Sequence, residues 1–224
     1  MHMARLFSLK VLAAALLLQG AAAAMAQDLS LVVRHVTVSA GADGIKRTAE
    51  FRERFVRRGD NVWVERIVPA GWHTADDHAQ GDKGHRHLDV AAAARWITRE
   101  ADGTPRLRLA SAEDKVLVDV ARTDYENVGF DGQWASAFYL IDPAVLKRMK
   151  AEASQGDTTT YTSNDGRRTL KIVWNQRLQY PVSVESASGP SSRKTVVELA
   201  PEAKAAPWGV TQGYQRKDYA DYLD

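Results

Sequence analysis

Apolar residues recur at every second position through most of the chain, and this period confines it to a fold made of strands. Leu31, Val33 and His35 alternate with Val32, Arg34 and Val36, the spacing of a strand half buried on each side. Between Thr48 and Val68, Phe51, Glu53 and Phe55 lead to Gly59-Asp60-Asn61, and Val62, Val64 and Arg66 return, with Trp63 on the other face. A second pair runs from Trp96-Ile97-Thr98 through the turn Asp102-Gly103 to Leu107 and Leu109, and Val116 to Val120 adds a further strand. Two later hairpins, Tyr161 to Trp174 and Val182 to Leu199, fold about Asn164-Asp165-Gly166 and Gly189-Pro190-Ser191-Ser192.

One segment carries helix punctuation. Asp142 can cap the first amides, Pro143 suits the first helical position, Val145, Leu146 and Met149 recur at helical spacing, and Gly156 can close the end. The run Ala91 to Ala94 reads either as a short helix or as the lead into the strand at Trp96. Trp208, Tyr214, Tyr219 and Tyr222 give the tail enough aromatic surface to dock on the body. With no repeat and no low-complexity linker, the pattern predicts a mainly β fold: one curved antiparallel sheet or half-open barrel with one or two covering helices.

The first residues have the three zones of a secretory signal peptide: basic Arg5 and Lys10, an apolar run from Val11 to Leu18, and an alanine tract ending Ala24-Met25-Ala26. Cleavage after Ala26 leaves residues 27–224 as a single β-rich periplasmic domain, with no later apolar run long enough for a spanning helix. Arg5 and Lys10 account for the formal net charge of +2, so the mature part is neutral, which argues against nucleic acid as a partner. The chain has no cysteine, so stability rests on packing, and thiol chemistry and thiolate metal ligands are excluded.

The stretch Leu170-Lys171-Ile172-Val173-Trp174-Asn175, followed by Leu178, Pro181-Val182, Val184-Glu185 and Lys194-Thr195-Val196-Val197, resembles the C-terminal strands of the LolA-like superfamily of periplasmic lipoprotein carriers. The hairpin around Arg58-Gly59-Asp60-Asn61-Val62-Trp63 is similar in layout to that superfamily's first strands. The resemblance implies a half-open antiparallel barrel whose concave face, covered by helices, holds acyl chains. No functional residue can be matched one to one, and the histidine-rich segment departs from the family pattern.

That segment, residues 72–89, gathers His73, His78, His85 and His87 with Asp76, Asp77, Asp82 and Asp89. Imidazole is the usual ligand for zinc and copper, and carboxylates complete such sites or orient the rings. His73, His78, His85, His87 and Asp89 are therefore the candidate ligands of a divalent transition metal. A solvated loop between strands has the same composition, and a histidine acting as acid or base is a third reading. The spacing matches no zinc signature such as His-Glu-x-x-His.

Other candidates carry less. Ser191-Ser192-Arg193-Lys194 has a Ser-x-x-Lys spacing but falls in a hairpin turn. Gly129 to Trp134 reads as a ligand loop or as a tight turn that packs Trp134, and His35 reads as a structural strand residue. Trp63, Trp72, Trp96 and Trp174 either line an apolar cavity or are scattered core residues. No catalytic signature is complete, which favours a binding protein over an enzyme. Its partner is a metal ion or, in the alternative, a lipid, acyl chain or other hydrophobic small ligand carried inside the sheet.

Overall fold

The computed structural model describes residues 27–41, 44–68, 88–202 and 204–222. The expected signal peptide and all four candidate histidines of the 72–89 segment lie outside these residues, as does Trp72.

The described strands are β1 (Leu29–Ala40), β2 (Lys46–Arg58), β3 (Asn61–Ile67), β4 (Ala94–Arg99), β5 (Pro105–Ser111) and β6 (Val116–Asp119). A short helix α1 (Trp134–Tyr139) and a 3-10 segment (Pro143–Arg148) then precede β7 (Lys150–Gln155), β8 (Thr158–Asn164), β9 (Arg168–Asn175), β10 (Tyr180–Ser188), β11 (Ser191–Leu199) and β12 (Gln215–Asp218). They form one open sheet in the order β12-β6-β5-β4-β3-β2-β1-β11-β10-β9-β8-β7. The hairpin turns anticipated at Gly59-Asp60, Asp102-Gly103, Asn164-Gly166 and Gly189-Pro190 all form. Gly59, Gly103, Gly166 and Gly189 each have positive φ, which glycine adopts without strain.

Because strand side chains alternate, the pairing register decides which residues share a face. Leu31 lies opposite Phe55 and Leu199, Phe55 opposite Val64, and Val62 opposite Ile97, which in turn faces Leu107. These residues make the inner face, where Leu31, Val62, Leu107, Leu109 and Val118 are fully buried. Burying each such side chain contributes about 1.5–3 kcal/mol. α1 covers this face with Phe138, the 3-10 turns at 122–128 bring Tyr125 and Val128, and Phe130 follows them. Leu146 packs on Ile172 and Trp174.

The outer face carries its own smaller core of Val56, Trp63, Ala94, Ala110 and Leu117. The tail seals it: Trp208 stacks on Trp96 with ring centres 6.3 Å apart, and the Arg108 guanidinium lies 4.5 Å from the Trp96 ring centre. Trp63 and Trp96 thus belong to the outer face and Trp174 to the inner one, so these three do not line a common cavity.

Two expectations change. The sheet is antiparallel except at its end, where β12 runs parallel to β6. The expected helix stops at Met149 instead of Gly156. Asp142 caps it as anticipated, its carboxylate accepting from the Ala144 amide at 2.8 Å, but Met149 is already extended. Residues 150–155 offer no apolar stripe for a helix to bury, so they pair with β8 as an exposed edge strand, and Gly156, φ +56, makes the turn. α1 itself is short and uncapped, with only Phe138 buried, so periodicity did not mark it. Trp134 starts that helix and packs 5.1 Å from Phe138, which settles residues 129–134 as a turn feeding the core. Ala91 to Ala93 form a turn and Ala94 begins β4.

Candidate functional site

At one end the inner face is filled; at the other, the strands run on beyond their cover. Arg57 closes the filled end. It is 1% exposed and has no carboxylate partner there; its guanidinium donates to the main-chain oxygens of Gln27 (3.0 Å), Phe138 (3.2 Å), Gln179 (2.9 Å) and Leu178. It also lies over the Phe138 and Tyr139 rings. Burial pulls its pKa down to about 10, so it is still charged at neutral pH. This clamp joins β2, α1, the β9–β10 corner and the start of the chain's described part.

Towards the open end the inner face turns polar. His35 on β1 lies between Phe51 of β2 and Thr195 of β11. Its Nε2 is 3.0 Å from Glu53 Oε2, its Nδ1 is 3.1 Å from Thr195 Oγ1, and its ring stacks on Phe51 at 4.6 Å. The Arg66 guanidinium lies over the Phe51 ring, 4.6 Å from its centre, and Arg95 Nη2 is 4.0 Å from Glu53 Oε1. Burial alone would push the Glu53 carboxyl up, but the bond from His35 and the charges of His35, Arg95 and Arg66 outweigh it and hold it below the ordinary carboxylate range. His35 is the structural strand residue that its sequence position indicated.

Two rows of the register continue from this network. His35, Thr195, Val184, Ile172 and Tyr161 stand side by side across five strands, and one step outward Thr37, Arg193, Ser186, Leu170 and Ser163 do the same. The 143–149 segment covers the first row through Leu146, Val145 and Met149. Over the second row lies an open groove of about 900 Å³, with Leu170 in its floor and Arg148, Lys150, Lys171, Arg193 and Lys194 among its walls. Glu185, the one carboxylate in that lining, is held by Lys194 at 2.7 Å. An apolar floor under a cationic lip suits an amphipathic ligand with an anionic end.

Among the described residues, no group of three or more His, Asp or Glu side chains is placed to hold a metal ion. Of the candidate ligands, only Asp89 is described. Its Oδ1 accepts from the amides of Ala91 (2.9 Å) and Ala92 (3.0 Å), fixing the turn into β4. Ser191 and Lys194 sit on the β10–β11 hairpin with Lys194 committed to Glu185, so the Ser-x-x-Lys spacing is incidental. The groove's cations were missed because Arg148, Lys171 and Arg193 stand on three separate elements, distant in sequence, and come together only in the folded chain.

No family model matches the chain, and no curated protein matches it. Solved structures with a similar fold include a putative outer membrane lipoprotein-sorting protein domain from Vibrio parahaemolyticus, at 9% identity and a TM-score of 0.36, over 82% of this chain and 90% of that one. A DUF1329 family protein from Desulfovibrio piger aligns at 8% identity and a TM-score of 0.37, over 86% of this chain and 93% of that one. PNGF-II aligns at 8% identity and a TM-score of 0.36, over 87% of this chain; the chain spans about a third of PNGF-II, 32%. Similarity at this level carries no argument about function or family. No helix among the described residues is long and apolar enough to cross a membrane.

Proposed function

We propose that the chain is an exported, non-enzymatic carrier that holds an anionic amphiphile, such as a fatty acyl chain with its acidic end, in the open half of its inner sheet face. The observation that carries this reading is the groove over Leu170, lined by the five cations Arg148, Lys150, Lys171, Arg193 and Lys194 against the single carboxylate Glu185. The filled half of the same face gives the groove a rigid back, so the ligand is ordered against a preformed surface. The leader-like residues 1–26 support a periplasmic location, with residues 27–224 as the mature domain.

Native mass spectrometry and lipid extraction of protein purified from the periplasm test this reading, together with titration of a dansyl-labelled fatty acid. Stoichiometric, saturable uptake supports it; absence of both co-purified lipid and saturable uptake rejects it. A zinc or copper ion held by His73, His78, His85, His87 and Asp89 is a separate proposal, supported by the composition of residues 72–89 and independent of the groove.

A further inference from the structure

We infer that the acidic end for which the cationic groove is built is a phosphate monoester, a dianion at neutral pH, in preference to a carboxylate. This rests on the carrier reading above and names the ligand class of the same groove. Two features of the lining carry it: more positive charge than one carboxylate answers, and a guanidinium set beside serine hydroxyls in one row of the sheet.

The lining holds Arg148, Lys150, Lys171, Arg193 and Lys194 against one carboxylate, Glu185. Lys194 Nζ lies 2.7 Å from Glu185 Oε1 and holds that carboxyl below the ordinary range, so Glu185 stays ionised in mild acid and offsets one cation. Lys150 Nζ lies 3.0 Å from Glu152, which is outside the lining. Discounting both pairs leaves Arg148, Lys171 and Arg193, which are exposed and reach a ligand without unpacking anything. Their mutual repulsion is relieved in part by a monoanion and more fully by a dianion.

Register arranges the donors. On each of four strands the groove is lined by three consecutive residues, 162–164, 169–171, 185–187 and 192–194. The middle residues, Ser163, Leu170, Ser186 and Arg193, pair with one another in a single row and share a face. Arg193 therefore stands beside Ser186, about 5 Å away across the pair, with Leu170 next and Ser163 beyond it. A guanidinium presents a planar fork of N–H donors and the serine hydroxyl adds another. A carboxylate has two oxygens to set against them, whereas a phosphate monoester has three and twice the charge. Leu170, on the other side of Ser186, receives the first methylenes of the attached chain.

The test is calorimetric titration of protein purified from the periplasm with decyl phosphate, decyl sulfate, decanoate and inorganic phosphate, near pH 5 and near pH 8, below micelle-forming concentrations. A phosphate monoester loses its second proton at about pH 6, while an alkyl sulfate keeps the same shape and a single charge throughout. Near pH 8 decyl phosphate is expected to bind about ten-fold more tightly than decyl sulfate or decanoate, and near pH 5 about as tightly as the sulfate. The sulfate arm also absorbs any titration of the protein itself, including that of His35, one row inward beside Thr195. In Arg193→Gln, an exposed change, the preference for phosphate over sulfate should fall at least three-fold; Arg148→Gln is read in its place should that variant not fold. Equal affinity for the three amphiphiles, a preference that ignores pH, or a preference unchanged in the variant overturns the inference and leaves the carrier reading standing. Binding of none of them overturns both. Displacement of decyl phosphate by inorganic phosphate at equal concentration marks a site for the free ion and also overturns it.

Discussion

Arg57 Nη1 donates to the main-chain oxygen of Gln179 at 2.9 Å, tying the end of β2 to a corner that lies 122 residues further along the chain. Around that bond the three other carbonyls bound by the same guanidinium fix how α1 and the β9–β10 corner meet. That corner is therefore held by a cation whose guanidinium hydrogen-bonds to backbone oxygens.

Replacing Arg57 by methionine leaves several buried carbonyl oxygens without donors. The expected cost is about 2–4 kcal/mol, or about 5–15 °C in melting temperature by calorimetry. Arg57→Lys restores little, because one ammonium cannot span the separate carbonyls that a planar guanidinium reaches.

Glu53 is held below the ordinary carboxylate range by His35, Arg95 and Arg66 despite its burial. A carboxylate with a lowered folded pKa contributes stability above its unfolded pKa of about 4.5, and that contribution is lost as pH falls through the folded value. Glu53→Gln should thus lower stability at pH 7 by about 1–3 kcal/mol, with the gap to the parent closing below pH 4.5. Urea unfolding at a series of pH values checks the convergence; a gap independent of pH refutes it.

The groove makes an electrostatic prediction. Reversing two cations of the lining in Lys171→Glu, Arg193→Glu should weaken a dansyl-labelled fatty acid by roughly ten-fold at low salt, with the difference shrinking as salt is raised. Leu170→Asp, in the floor, should weaken it at every salt concentration. Fluorescence titration separates the two patterns.

Asp89 spends one carboxylate oxygen on the amides of Ala91 and Ala92. Asp89→Ala is expected to cost about 0.5–2 kcal/mol in denaturant unfolding, as loss of a cap does. Calorimetric titration with zinc and copper decides on the ion: stoichiometric binding abolished in His85→Ala, His87→Ala marks a site.

The strands were legible because each hairpin is local, with alternation and turn residues such as Gly59-Asp60 adjacent in sequence. The helix over 143–156 was half legible: Asp142 and Pro143 speak for its start, whereas its end depends on β8 offering a ladder to Lys150–Gln155, a fact of tertiary structure. The parallel pairing of Gln215 with Val116 has no local signature at all. The site was less legible than the fold. Arg193 and Leu170 share a row only because β11, β10 and β9 pair in one register, and a slip of one residue would send either to the other face. Histidines clustered in sequence drew attention to residues 72–89, while the groove is built from residues that are dispersed.

The placement of β12 beside β6 makes a segment about a hundred residues further along the chain the guard of a sheet margin. Until Gln215–Asp218 arrives, the outer rim of β6 presents unclaimed amides and carbonyls, a template for any passing chain. Closure of so long a loop comes late in folding. Proteolytic clipping ahead of Gln215 should accordingly make the molecule self-associate through that rim, even with every other contact in place.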